Sequence, residues 1–476
     1  MAVLISGDGW GISRRRFVQA AAALPVLAAC GSDGGGDATV PGRATGDTSV
    51  TSTLVQPAKK LAGDLKILQW SHFVPRHDKW FDPFAADWGR QVGVNVTIDH
   101  IGLADIQART SAEIAANEGH DLIEFLSPPA AFEPSLLDLT DINQEAERRF
   151  GKQLGLCTRS TYNPTTKKYY GFCHGWVPDP GDYRRSLWEK AGMPNGPTTY
   201  QDLLDAGGRI KREQGVQLGI GMSNELDSNM AARALIWSFG GSVQDERENV
   251  VINSPQTIEA VDFMSRLFKA TMTDEVFAWS AASNNQGLIA GNLSYILNSI
   301  SAYRTAQTAN PDVARDIFFT PPLKGPRGVA LASEHVIPIY VIPKHAKNPD
   351  AAKEFILNLV TNYASATNNS ELYTFPAFPS TVPQLDAWLD NDPFGSQPAD
   401  KLAFLKKAET WSTTLGHPGP ANAAIGEVLD TFIIPKMMAK AARGELSPRD
   451  AVIDAENQIK PIFGRWRQRG LVGGTS

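Results

Sequence analysis

With 476 residues, 42% of them hydrophobic and 9% aromatic, the chain carries enough apolar mass for two or three domains by the usual domain length. Its formal charge is −6, and removing residues 1–29, which hold three arginines and one aspartate, leaves −8. An acidic chain without clustered Lys and Arg is no nucleic-acid binder, and one without a later apolar run of about 20 residues forms no helical channel.

Near the N-terminus, Ser13 to Cys30 reads SRRRFVQAAAALPVLAAC. Arg14 and Arg15 precede Phe17, and the apolar stretch from Val18 to Ala29 is too short to span a bilayer, which marks a processing segment. SRRRFVQ resembles the twin-arginine export signal, and Leu27, Ala28, Ala29 and Cys30 resemble the box at which bacterial lipoproteins are cleaved and acylated. The resemblance implies that residues 1–29 are an export signal and that Cys30 becomes a lipid-bearing N-terminus on the outer face of the cell membrane. Val18 and Gln19 stand where the export motif usually has leucine and lysine, so the translocation route stays open. Residues 30–60, rich in Gly, Ser, Thr, Ala and Pro, predict a flexible tether.

Order is expected from Leu65, where LKILQW alternates as a strand and a following helical stretch places Trp80, Phe81, Phe84 and Trp88 on one side. VNVTID from Val94 is a second strand, a helix runs through Ile106, Ala108 and Ile114, and DLIEFL from Asp121 is a third strand. Strand and helix alternating at this spacing predict a parallel, doubly wound α/β sheet. Ligands of such sheets bind beyond the carboxyl ends of the strands, which singles out Trp70 to Phe73 and Glu124 to Ser127. The same grammar restarts near Tyr183, with helices around Trp188 and Leu203 and a strand QLGIGM from Gln217. HVIPIYVIP then gives a strand, and KNPDAAKEFILNLV a helix capped by Asn348, opened by Pro349, and buried along Ala352, Phe355, Ile356 and Leu359. Two α/β lobes are therefore expected. Cys157 and Cys173 are either a disulfide or two buried thiols, and spacing alone does not decide.

Several segments resemble the extracellular solute-binding proteins of ABC importers, family one, whose members mostly bind sugars. They include WEKAGMPNGPTTYQDLLDAG from Trp188, WSFGGSVQDE from Trp237, NSPQTIEAVDF from Asn253, GLIAGNLSYILNSISAY from Gly287, PPLKGPRG from Pro321, VIPKHAKNPDAAKEFI from Val341 and ARGELSPRDAVIDAENQI from Ala442. The resemblance implies a periplasmic-binding-protein-like fold in which two doubly wound lobes are joined by a multi-segment hinge. Carried onto this chain, lobe 1 comprises 61–176 and 294–342 and lobe 2 comprises 177–293 and 343–470. Crossings are then expected at Trp176 to Pro180, at Ser294 to Ser299, and near Val341. The resemblance further implies a solute, expected to be a carbohydrate, trapped by closure, ABC permease subunits as partners, a monomer, and no cofactor.

A pyranose offers apolar C–H faces and a rim of hydroxyls, so its site needs aromatic platforms and planar polar side chains. The aromatic candidates are Trp70, Trp176, Trp279 and, least placed, Trp411, with Tyr303 after the second crossing. The polar candidates are His72, Glu124, Asp179, Asn224, Glu225, Asn298 and Glu334, each at a strand end or crossing. For Glu124, interrupting LIEFL, and for Glu334, an ordinary ion pair is the competing account. GMSNE nearly matches a nucleophile elbow, but Glu225 replaces the glycine that its turn requires. His72, His77 and Asp78 lack zinc-ligand spacing and read as a polar loop, so no metal is expected. The expected function is a lipid-anchored receptor and not an enzyme. The alternatives are a polyamine or quaternary-amine ligand in the same fold, or an exported carbohydrate-active enzyme using Glu124 and Glu225 as acid and base.

Overall fold

The computed structural model describes residues 52–475. Arg14, Arg15 and Cys30 lie outside the described residues. In LKILQW the side chains of Leu65, Ile67, Leu68 and Trp70 are buried, and the segment forms β1 (Asp64–Trp70). α1 (Pro75–Val92) follows and ends at Gly93, whose φ of 79° suits a residue without a Cβ. β2 (Asn95–Ile101), α2 (Ile106–Ala116) and β3 (Leu122–Phe125) complete a parallel βαβαβ unit in which β1 lies between β2 and β3. Phe81, Phe84 and Trp88 of α1 are buried and Trp80 is half-buried, as the helical spacing predicts.

After β4 (Phe172–Cys173) and β5 (Gly175–Trp176), residues 177–180 cross to a second sheet, which opens with β6 (Gly181–Arg184). There the chain forms α3 (Tyr200–Gln214), β7 (Gln217–Gly219), α4 (Leu226–Ser238), α5 (Pro255–Thr271), α6 (Ser283–Ile289), β8 (Leu293–Leu297), α7 (Ser301–Ala309) and β9 (Ile317–Thr320). The strand order is β9-β6-β8-β7. Past β10 (Ala332–Ser333), residues 334–338 return to the first sheet, where β11 (Ile339–Val341) lies antiparallel between β3 and β4. α8 (Pro349–Thr361) starts as expected, with the Asn348 side chain accepting from the Ala351 amide. α9 (Tyr363–Asn369) and β12 (Phe375–Pro376) follow, the latter paired with β5. β13 (Ser412–Thr413) then pairs with β10, and α10 (Ala423–Asp430), α11 (Ile433–Ala442) and α12 (Pro448–Gln468) finish the chain, α11 and α12 packing on α5.

Three expectations change. Residues 294–320, expected in lobe 1 after a crossing at 294–299, stay with the second sheet, where β8 is hydrogen-bonded between β6 and β7 and β9 pairs with β6. Residues 343–376, expected in lobe 2, belong to lobe 1, because Phe355 of α8 packs on the aromatic stripe of α1, 5.3 Å from Trp88 and 5.9 Å from Phe81 between ring centroids. Each buried ring of this kind contributes about 1.5–3 kcal/mol, so the stripe decides where α8 docks. The tether also ends earlier than residue 60: from Thr53 it lies along α8 as a strap. The Asn362 side chain accepts from the Thr53 amide (2.6 Å) and donates to the Thr53 carbonyl (2.8 Å), while Asn358 and Glu354 accept from the Val55 (3.2 Å) and Ala58 (3.1 Å) amides. Spacing of four puts Glu354, Asn358 and Asn362 on one face of the helix.

Cys157 and Cys173 are free thiols, both buried. No described helix is long and apolar enough to cross a membrane.

Candidate functional site

Residues from both lobes and from the crossing segments meet in one continuous polar and aromatic seam. Lobe 1 supplies the carboxyl end of β1 and the loop after it. Trp70 is 2% exposed, with its ring 5.1 Å from Phe73 and nearly perpendicular to it, at 82°. Phe73 itself is 43% exposed, a large apolar ring left facing solvent. The Val74 amide donates to His72 Nδ1 at 2.9 Å, and burial together with nearby His77 holds His72 well below its ordinary pKa. His72 is therefore a neutral imidazole near pH 7. The Tyr373 ring stands edge-on to His72 (5.3 Å) and to Phe73 (6.3 Å), and lies 6.5 Å from the ring of His335.

The hinge supplies Asp179, from the first crossing, and His335, from the return crossing, joined Oδ1 to Nδ1 at 3.0 Å and both buried. Burial opposes a charge on His335, yet the Asp179 carboxylate beside it, with Asp227 and Glu225 nearby, raises its pKa. Lobe 2 supplies those two carboxyls from the start of α4. The Asp227 and Ser228 amides both donate to Glu225, the N-cap of α4. Burial pushes Glu225 up to about 7 and Asp227 up to about 6. Asn284 donates to Asp227 at 2.7 Å, Asn285 donates to Ser301 at 3.1 Å, and Asn298 donates to Asn285. Trp279 is half-buried, and its carbonyl accepts from the Ser223 hydroxyl at 2.6 Å.

The seam thus gathers Trp70, His72, Asp179, Glu225, Trp279 and Asn298 of the candidates read from the sequence. Asn224 is exposed next to it. Trp176 is buried just behind, paired through β5 and β12 and edge-on to Phe375 at 5.6 Å. Glu334 is buried one residue before His335, accepting from the Leu415 amide and the Ser333 hydroxyl at 3.3 Å each. Tyr303 and Glu124 are not brought into it. Tyr303 packs in the satellite core of lobe 2, its hydroxyl donating to Ser396 at 2.9 Å. Glu124 lies inside lobe 1, where Gln69 donates to one of its oxygens and the other lies 2.9 Å from His174 Nε2, and burial pushes it up to about 8. The cavity between Glu124 and His72 is about 10 Å³, room for about one water. Sequence reasoning missed Asp227, Asn284 and Tyr373. Asp227 follows the polar string MSNE and Asn284 lies within SAASNNQG, a detectable signal, whereas Tyr373 depends on a turn that no spacing announces.

On the other side of the seam, residues 411–422 are bonded to both lobes. Toward lobe 1, Ala421 donates its amide to the Arg159 carbonyl at 3.0 Å and accepts from the Tyr170 hydroxyl at 2.9 Å. Toward lobe 2, Gln244 donates to the carbonyls of Gly416 and Pro420, at 2.8 Å each. A Cβ on Gly416 would stand 2.0 Å from the Pro420 carbonyl oxygen, so only glycine closes this loop. Trp411 is buried beside it.

Among the described residues no group of three or more His, Cys, Asp or Glu is arranged to hold a metal ion. His72 and His77 stack face to face at 4.3 Å, and Asp78 accepts from the His72 amide at 3.0 Å.

Residues 79–394 match the family model described as bacterial extracellular solute-binding protein. A binding protein of Brucella abortus (strain 2308) is 26% identical over 93 residues, covering 19% of this chain and 22% of that protein's length. Among solved structures, the maltose-bound MalE3 of T. maritima has a TM-score of 0.68 at 20% identity, covering 84% of this chain and 100% of that one. A sugar transporter of Arthrobacter chlorophenolicus with bound laminaribiose has a TM-score of 0.70 at 17% identity, covering 84% and 99%. The GacH receptor of Streptomyces glaucescens, described unliganded and with acarbose, has a TM-score of 0.67 at 16% identity, covering 84% and 98%. At such identities the likeness is one of fold.

Proposed function

Because the chain belongs to the bacterial extracellular solute-binding proteins, we propose that it captures a carbohydrate in the seam between its lobes and hands it unaltered to an ABC permease. The observation that carries this reading is the seam itself. An aromatic wall of Trp70, Phe73 and Tyr373 on lobe 1 stands against carboxyl and amide groups of lobe 2, with the Asp179–His335 pair between them. Stacking faces opposite planar hydrogen-bonding groups suit a pyranose. Solute touching both walls favours the closed arrangement, which is a shift in population. The solved relatives, bound to maltose, laminaribiose and acarbose, support the same ligand class.

Lipidation at Cys30 after twin-arginine export, with the protein held as a monomer at the outer face of the cell membrane, completes the proposal; the sequence resemblance supports it. The two carboxyls weighed as acid and base are both engaged in the fold, Glu225 as a helix cap and Glu124 with Gln69 and His174, which favours binding over catalysis. One observation favours a second ligand class. Asp179, Glu225 and Asp227 beside Tyr373 and Trp279 form an acidic, aromatic setting that also suits an organic cation.

Thermal unfolding with maltose, laminaribiose, maltotriose, spermidine and glycine betaine separates these readings. At 100 times its Kd a bound solute stabilises by about 2.7 kcal/mol. Stabilisation by a saccharide, followed by loss of about 0.5–1.5 kcal/mol of affinity in Phe73→Ala with no turnover of the sugar, is the expected result. Stabilisation by the amines alone overturns the carbohydrate reading, and net consumption of the sugar overturns the receptor.

A further inference from the structure

We propose that Arg76, Phe394 and Arg304 form a latch between the lobes, which sets how much of the protein is closed by acting on closure and not on the solute. The inference rests on the reading above only in taking the lobes to pivot about the seam.

Arg304 belongs to α7 of lobe 2. Its guanidinium is 2% exposed and grips Asp392 at two points, 2.7 and 3.0 Å. That pair is internal to lobe 2, since the segment carrying Asp392 is tied there. Gln307 of α7 donates to the Phe394 carbonyl at 3.0 Å, and the Lys401 ammonium donates to the Ala314 carbonyl at 3.2 Å. Besides the two N–H groups that hold Asp392 and the Nη1 contact to Gln307 at 3.2 Å, Nε of Arg304 reaches across the seam to the Glu371 carbonyl of lobe 1 at 2.9 Å. A carbonyl given up by Arg304 on opening exchanges that charged donor for water.

Phe394 makes the second link. Two guanidinium groups lie over its ring, Arg304 of lobe 2 at 5.3 Å and Arg76 of lobe 1 at 5.0 Å from the centroid, and the ring is 4% exposed. Cations held over a desolvated ring interact more strongly than exposed ones. Arg76 is aimed by Asn368, whose side-chain oxygen accepts from it at 3.0 Å. When the lobes part, Arg76 leaves with lobe 1 and the ring stays with lobe 2.

Both links end on the same turn. Asn368 lies in the last turn of α9, and the two residues that follow Ser370 take left-handed conformations in succession, Glu371 at φ 55° and Leu372 at φ 65°. Neither is glycine, so each carries a conformational cost that the surroundings must offset. The turn delivers Tyr373 into the seam, between His72 and His335. The latch therefore couples closure to the placement of one wall of the site, without requiring contact with solute.

The test needs no solute. Phe394→Leu keeps an apolar side chain and removes the ring, and Arg76→Met removes the lobe 1 cation while leaving the Arg304–Asp392 pair whole. Small-angle scattering of each variant in buffer, beside the full wild-type chain, reads the closed population as the radius of gyration, with near-ultraviolet circular dichroism to confirm folding. Both variants are expected to be more extended than the wild type, with a closed-to-open ratio lower by about 5- to 10-fold, the small end of allosteric couplings. Should Phe394→Leu fail to fold, Arg76→Met, on the half-buried start of α1, decides alone. Folded variants that scatter as the wild type does overturn the latch, including when the wild type is already extended. Variants that open in a protein that no saccharide stabilises leave the latch standing and remove the carbohydrate reading.

Discussion

Glu124→Gln is the sharpest test of the electrostatics in lobe 1. Glu124 is 2% exposed in β3, and burial pushes its pKa from an ordinary 4.5 up to about 8. Between those values the folded protein keeps a proton that the unfolded chain releases. Stability contributed by this group therefore falls as pH rises from 4.5 to about 8 and is constant beyond. At about 1.4 kcal/mol per pH unit the loss amounts to about 5 kcal/mol, an upper figure because nearby groups relax. Glutamine keeps the shape and has no proton to lose. His174, held neutral at a pKa of about 3 by burial, carries its proton on Nδ1, which faces the Tyr363 hydroxyl at 3.1 Å, and leaves Nε2 to accept from protonated Glu124. In the variant the same Nε2 accepts from the new amide. Urea unfolding at pH 5 and pH 8 reads the difference. At pH 5 the variant is expected to match the wild type within about 1 kcal/mol, and at pH 8 to exceed it by several, up to about 5. Equal differences at the two pH values would show that Glu124 does not carry its proton through neutrality, and the reasoning fails.

Two further outcomes are expected. Replacing Asn358 and Asn362 together by alanine frees the strap, so the amides of Thr53 and Val55 should exchange their hydrogens faster, by roughly 5-fold for each bond of about 1 kcal/mol; unchanged protection by exchange mass spectrometry would count against the docking. Cys157 and Cys173 are buried and burial pushes the Cys157 thiol up, so an aromatic disulfide reagent should find both thiols only after denaturant is added, and reaction in native buffer would refute their enclosure.

The first half of lobe 1 was legible because its signals are local. A two-residue alternation marks β1, a 3.6-residue stripe marks α1, and an Asn-Pro start marks α8. Lobe membership was not local. β8 reads as a buried strand in either sheet, and only its pairing with β6 and β7 places it. α8 reads as amphipathic wherever it docks, and Phe355 against Trp88 decides. Strand-end reasoning singles out Trp70, His72 and Glu225, which the fold brings together in the seam, since doubly wound sheets leave their carboxyl ends open to ligand. Glu124, named by the same strand-end rule, and Tyr303, named from its place after the second crossing, lie outside the seam, because a strand residue points to either face and a helix residue to either core. Tyr373 escaped because two consecutive left-handed residues are a property of the folded turn and not of Glu371 and Leu372 as residue types.

The strap along α8 also settles how force enters the molecule. A pull on the N-terminal end is borne first by the bonds of Thr53, Val55 and Ala58 to a single helix of lobe 1, in shear along that helix, before it can reach the crossings at 177–180 or 334–338. In the lipid-anchored arrangement proposed above, drag on the anchor is thereby absorbed by lobe 1. The other half is left to swing on thermal motion alone.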